Sequence, residues 1–99
     1  MESLGFIGMG NMAQALAQGF IASGALKGER VFAYAPHQEK LRANAERIGF
    51  QPVASLTELA AAADTLVMAC KPYQIESVVT ELGDALLGKA LVSIAAGWD

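Results

Sequence analysis

Apolar positions fall into two recurring patterns along this chain: short runs, and stripes at helical spacing. The runs are Leu4 to Gly8, Arg30 to Ala35, Phe50 to Val53, Thr65 to Cys70 and Ala90 to Ala95. Each is too short for a helix. Thr65 to Cys70 is apolar at nearly every position, as expected of a strand buried on both faces. Val31, Phe32 and Tyr34 add strand propensity to the second run. Pro52 weakens the third, which places it at a sheet edge.

The stripes lie between the runs. Met12, Ala15, Leu16, Gly19 and Phe20 recur at i, i+3, i+4, i+7 and i+8 and predict a helix with that face inward. The small residues Ala13, Ala17 and Gly19 would let it lie close to a sheet. A second helix, His37 to Ile48, turns Leu41, Ala45 and Ile48 inward and Glu39, Lys40, Arg42, Glu46 and Arg47 outward. Ser55 and Glu58 form a capping box for a short third helix that buries Leu56, Leu59 and Ala60. Ile75, Val78, Val79 and Leu82 mark a fourth. Gly24 and Gly49 close the first two helices, Pro36 and Lys71-Pro72 stop strands, and Gly88-Lys89 turns the chain. Strand and helix thus alternate five and four times. The class is α/β: a doubly wound parallel sheet of five or more strands with helices on both faces.

Composition narrows the partners. The chain has 99 residues, 54% of them hydrophobic, enough for one domain with one core. Its net charge is −3, and its seven Lys and Arg are dispersed, which speaks against nucleic acid as the main partner. The lone Cys70 permits no internal disulfide and no cysteine-based metal site, so no metal is expected and a reducing, cytoplasmic setting fits. No apolar segment is long enough to span a membrane, and Met1-Glu2-Ser3 does not begin a signal peptide.

The chemistry gathers where the first run meets the first stripe. In Gly5-Phe6-Ile7-Gly8-Met9-Gly10-Asn11-Met12-Ala13, the residues Gly8, Gly10 and Ala13 fill the special positions of a G-x-G-x-x-G/A dinucleotide fingerprint. Gly8 gives the tight turn, Gly10 lets backbone approach phosphates, and a side chain at either is expected to occupy ligand space. The first helical turn, Asn11 to Gln14, carries no acid, which leaves the positive end of the helix dipole to an incoming anion. Asn11 is placed to cap the helix or to donate to the ligand. A fingerprint on the first strand, with right-handed crossovers, makes the sheet Rossmann-type with strand order 3-2-1-4-5. The ligand cleft is then expected at the carboxyl ends of strands 1, 4 and 5.

Three further segments bear on that cleft. The end of strand 2, Tyr34-Ala35-Pro36-His37-Gln38, lacks the acid that would hold a ribose 2′-hydroxyl and repel a 2′-phosphate. That favours NADP, with NAD still possible; His37, Gln38 and Lys40 are the available donors. Ala69-Cys70-Lys71-Pro72 ends strand 4, where Pro72 opens the next helix and aims Lys71 outward, toward a ribose or an anionic substrate. Cys70 lacks a base partner and reads as an inert buried thiol. Ser93 reads as packed within strand 5. Ala95-Ala96-Gly97 is small and flat, which would let a nicotinamide ring lie against the backbone. No residue reads as a catalytic acid or base. A strand that runs out at Gly97-Trp98-Asp99 has no helix after it to cover the sheet, so a longer protein is expected.

GFIGMGNMA at 5–13, CKPYQ at 70–74 and SIAAG at 93–97 together resemble the N-terminal cofactor domain of Δ1-pyrroline-5-carboxylate reductase over nearly all 99 residues. The resemblance implies a Rossmann domain over 1–99. Its activity would be NAD(P)H-dependent reduction of 1-pyrroline-5-carboxylate to L-proline, in proline biosynthesis. By the same resemblance, Gly8, Met9, Gly10, Asn11 and Met12 hold the pyrophosphate, and Ala35, Pro36, His37 and Gln38 read the adenosine ribose. Ala69, Cys70, Lys71 and Pro72 line the cofactor cleft, and Ala95, Ala96 and Gly97 border the nicotinamide. The loop after strand 2 lacks the Ser, Asn or Arg that family members place at the phosphate contact. The family continues into a helical domain that supplies the substrate loop and a homo-oligomer interface, so residues 1–99 alone are expected to bind NADPH weakly and not to turn over. Rival readings are a β-hydroxyacid-type or F420-dependent NADP dehydrogenase, and a non-catalytic NAD(P)-sensing domain.

Overall fold

The computed structural model describes residues 2–94. Five strands, β1 (Leu4–Ile7), β2 (Val31–Tyr34), β3 (Gln51–Pro52), β4 (Thr65–Met68) and β5 (Ala90–Ser93), form one parallel sheet in the order β3-β2-β1-β4-β5. Four helices connect them: α1 (Asn11–Ala22), α2 (Gln38–Ile48), α3 (Leu56–Ala62) and α4 (Ile75–Leu82). The expected strand order holds, and the order reverses between β1 and β4.

Alternation along the strands builds a core on each face. Leu4 and Phe6 of β1, Val31 and Ala33 of β2 and Val67 of β4 point to one side, where they meet Ala13 and Ala17 of α1 and Leu41, Ala45 and Ile48 of α2. Ile7, Leu66 and Met68 point to the other, against Leu56, Leu59 and Ala60 of α3 and Val78 and Leu82 of α4. This is the period-two rule of a strand covered on both sides. Gly5 sits under α3. A Cβ there would come to 2.9 Å from the Ala63 Cβ and 3.0 Å from side-chain carbons of Leu59 and Leu66. The absent side chain is what lets α3 lie so close.

The helix ends follow local chemistry. Ser55 caps α3 by accepting a hydrogen bond from the Glu58 N–H at 3.1 Å, while the Glu58 carboxylate accepts from the Ala54 N–H at 3.3 Å instead of completing the box on Ser55. Gly49 closes α2 in the left-handed conformation, with φ 105°.

Three expectations need correction. The inward face of α1 is Ala13 and Ala17, with Phe20 and Ile21 partly buried. Met12 and Leu16, the larger residues of the expected stripe, remain 37% and 38% exposed. The turn before α1 is fixed to the sheet, and that fixes the helix rotation; only alanine-sized residues fit beneath. On α4, Val79 of the expected stripe is likewise exposed. Ser93 is not packed: all four residues of β5 are exposed, because no helix among the described residues covers this edge strand. Ala95, Ala96, Gly97 and Trp98 lie outside the described residues.

The opposite end of the sheet, at the strand N-termini, is clasped by Asp64. Its carboxylate accepts hydrogen bonds from the Glu2 N–H and the Thr65 hydroxyl, both at 2.9 Å, and its own N–H donates to the Ser3 hydroxyl at 2.9 Å. The Glu2 N–H, then the Thr65 hydroxyl, hold the Asp64 carboxyl below the usual carboxylate range. A lowered folded-state pKa means the unfolded chain binds the proton more tightly. The stabilisation is therefore present above the ordinary Asp value of about 4 and lost as pH falls through the lower folded value. Asp64→Asn should thus be less stable than the parent at neutral pH, and urea titrations at successively lower pH should show the gap narrowing in that acid window. A gap independent of pH would contradict this role.

Candidate functional site

The glycine turn is gripped from both neighbouring strands. The Gly8 N–H donates to the Tyr34 carbonyl of β2 at 2.8 Å, and the Ala69 N–H at the end of β4 donates to the Ile7 carbonyl at 2.9 Å. Gly8 has φ +99°, and a Cβ on it would lie 2.8 Å from the Ala69 carbonyl oxygen. The space a Gly8 side chain would take is thus the β4 backbone, not ligand space as the fingerprint suggested.

Gly10 differs. It is the N-cap of α1 with φ −74° and ψ −173°, ordinary extended backbone that any residue adopts. Its carbonyl accepts the first helical bond, from the Gln14 N–H at 2.9 Å. No side chain caps this helix, Asn11 included, and the first turn holds no acid. A 12-residue helix therefore opens with its amide-rich, positive end uncompensated by any acid of its own first turn.

That end faces a cavity of about 610 Å³ at the carboxyl ends of β1, β2 and β4, within the range typical of small-molecule sites. Gly8, Met9, Gly10 and Asn11 line it from the turn; Ala35, Pro36 and His37 line it from the end of β2; Ala69, Cys70 and Lys71 line it from the end of β4. The structure thus brings together ten of the residues singled out by sequence. It does not bring in the Met12 side chain. Gln38 also stays out: its amide donates to the Ala35 carbonyl at 2.8 Å and to the Val53 carbonyl at 3.5 Å, tying the start of α2 to β2 and the residue after β3. After β4, Pro72 opens a 3-10 turn, Pro72–Gln74, ahead of α4 rather than α4 itself.

At the β4 end, the Lys71 N–H donates to the Gln74 side-chain oxygen at 3.0 Å, and the Gln74 N–H donates back to the Lys71 carbonyl at 2.9 Å. This closed turn sets where Lys71 leaves the sheet. Cys70 is half-buried, and burial pushes its thiol pKa up, which keeps it a thiol rather than a nucleophilic thiolate. Among the described residues, no group of His, Cys, Asp and Glu is arranged to hold a metal ion, and no helix is long and apolar enough to cross a membrane.

Sequence reasoning missed the far wall. Leu56 at the start of α3 and Ser77, Val78 and Glu81 on α4 also line the cavity. Their spacing signalled helical faces, but not that α4 leans over the cleft. Asn44 and Gln14 line it from the other side.

Known proteins share this fold. The chain is 41% identical over 95 residues to a pyrroline-5-carboxylate reductase of Treponema pallidum and 37% identical over 97 residues to that of Escherichia coli. These alignments take in 96% and 97% of this chain but 36% of either relative. Among solved structures, a Plasmodium falciparum pyrroline carboxylate reductase with NADP bound superposes with a TM-score of 0.80 at 34% identity, over 95% of this chain and 34% of that one. A pyrroline-5-carboxylate reductase from Coxiella burnetii superposes with 0.86 at 33% identity, over 94% and 35%. The chain therefore spans about a third of the length of these relatives. The family model described as NADP oxidoreductase, coenzyme F420-dependent, matches residues 3–97, and the chain belongs to that family.

Proposed function

We propose that this domain binds a nicotinamide adenine dinucleotide, NADP in preference to NAD, and serves the reduction of 1-pyrroline-5-carboxylate to L-proline. The observation that carries the reading is the uncapped, acid-free start of α1, aimed into the cavity where the strand order reverses. An opening of this kind suits a pyrophosphate, which backbone N–H groups can hold without a competing carboxylate in the same helical turn.

The preference for NADP rests on the end of β2. Ala35, Pro36 and His37 present no carboxylate to the cavity, and His37 and Lys40 both line it. A 2′-phosphate meets donors there rather than a like charge. Gln38 is committed to backbone carbonyls, so His37 and Lys40 are left as the selectors. Toward the β4 end, Lys71 provides a cation beside the cleft, and Ala69 and Cys70 form its floor.

The chemistry supplied by a bound nicotinamide is hydride donation to a C=N carbon. The residues of this chain bind, orient and exclude water; none of them is assigned a proton-transfer step. In this reading residues 1–99 carry the cofactor half of an active site, and a further helical domain of the longer protein supplies the substrate half. The relatives' names and their roughly threefold greater length support that division.

Side-by-side titration with NADPH and NADH, followed by nucleotide fluorescence or calorimetry, tests the proposal. NADPH should bind more tightly, and the isolated chain should not turn over 1-pyrroline-5-carboxylate. Equal or tighter NADH binding would overturn the NADP preference. Absence of binding by either would overturn the site, and appreciable turnover would overturn the division of labour.

A further inference from the structure

Arg47 lies in the last turn of α2, outside the cavity, yet it is joined to the glycine turn by two hydrogen bonds in series. Its Nη2 donates to the Gln14 Oε1 at 2.8 Å and to the Asn44 Oδ1 at 3.1 Å. The Gln14 Nε2 in turn donates to the Met9 carbonyl at 3.0 Å. Met9 stands between the two glycines of the turn.

We propose that Arg47 is a positioning residue for the dinucleotide site, acting through Gln14 on the peptide that joins Met9 to Gly10. The inference rests on the reading of the turn as a dinucleotide site. Three physical points carry it. First, a carboxamide can be placed either way round, and an arginine removes the choice. The guanidinium only donates, so it takes the Gln14 oxygen and leaves the Gln14 NH₂ for the Met9 carbonyl. Second, the Met9–Gly10 peptide is trans and planar, so its C=O and N–H point in opposite directions. Holding the Met9 carbonyl toward Gln14 holds the Gly10 N–H away from Gln14. Third, the sheet bonds grip the turn at Ile7 and Gly8, whereas the next peptide, Met9 to Gly10, is held through the Gln14 side chain. Movement of that peptide would have to be lost when a phosphate binds, and a tether made in advance lowers that cost.

A simple staple between α1 and α2 would use the same first contact, and the two roles separate by measurement. Arg47→Ala should weaken NADPH binding to the purified chain about 3–10-fold, the worth of one oriented hydrogen bond. Arg47→Lys, still a pure donor, should restore most of the loss. In a Gln14→Ala background, Arg47→Ala should change the affinity no further. A staple alone would lower the Tm of the unliganded chain while leaving the affinity untouched at temperatures where both proteins are folded. Unchanged NADPH affinity in Arg47→Ala overturns the proposal, as does a loss of equal size in the Gln14→Ala background. A parent chain that binds neither NADPH nor NADH overturns the underlying site reading as well. A parent that binds NADPH beside an equally tight Arg47→Ala variant overturns the tether alone.

Discussion

Gly8→Ala is expected to destabilise the domain by about 2–4 kcal/mol and to lower its Tm by roughly 10 °C or more. Two costs combine. The φ of +99° is one that an L side chain rarely adopts, and the new Cβ would lie 2.8 Å from the Ala69 carbonyl oxygen and 3.0 Å from its carbon. Both contacts are backbone at the end of a central strand, so the neighbour cannot rotate aside. Relief requires β1 and β4 to separate, which strains the hydrogen bond from the Ala69 N–H to the Ile7 carbonyl. Thermal unfolding followed by circular dichroism measures the effect, and an unchanged Tm would contradict the geometry.

Gly10→Val should show the reverse balance. The backbone at Gly10 is extended, so valine fits its conformation, and the fold should lose only about 1 kcal/mol from a poorer N-cap. The affinity for NADPH should fall at least about 100-fold. A branched side chain at the mouth of α1 keeps phosphate from the amides, and two charge-assisted hydrogen bonds lost at about 1.5–3 kcal/mol each account for that much. Measuring circular dichroism and NADPH binding on the same preparation separates the two glycines. Retained binding in Gly10→Val would remove the phosphate from the start of α1. The fingerprint treats Gly8 and Gly10 as one motif; the structure gives Gly8 to the sheet, and the proposed function gives Gly10 to the ligand.

Much of this was legible in the chain itself. The alternation of Leu4 and Phe6 with Gly5 and Ile7, and the unbroken Thr65 to Met68, already require a sheet covered on both faces. Leu41, Ala45 and Ile48 named the buried face of α2 correctly, and Gly49 its end. Right-handed crossovers and a fingerprint on β1 left the observed strand order. The acid-free turn Asn11 to Gln14 was readable as well, because helix-dipole compensation acts within one turn.

Other features depended on how the elements dock. The largest apolar stripe of α1 lost to Ala13 and Ala17, since the fixed turn sets the rotation and the sheet leaves no room for Met12 or Leu16. Gln38 had the chemistry of a phosphate ligand but was claimed by carbonyls at the ends of β2 and β3. Ser77, Val78 and Glu81 reached the cavity only because α4 leans over it. Arg47 and Gln14 are separated by 33 positions and meet only through the packing of α2 on α1. The sequence by itself determined the periods, the strand order and the acid-free opening of α1, because each rests on forces between near neighbours or on chain handedness. Only the tertiary structure decided which face of α1 turns inward, which donors stay available and what holds the turn in place. Those outcomes rest on the docking of one element on another, where a difference of one side chain's width changes the partner.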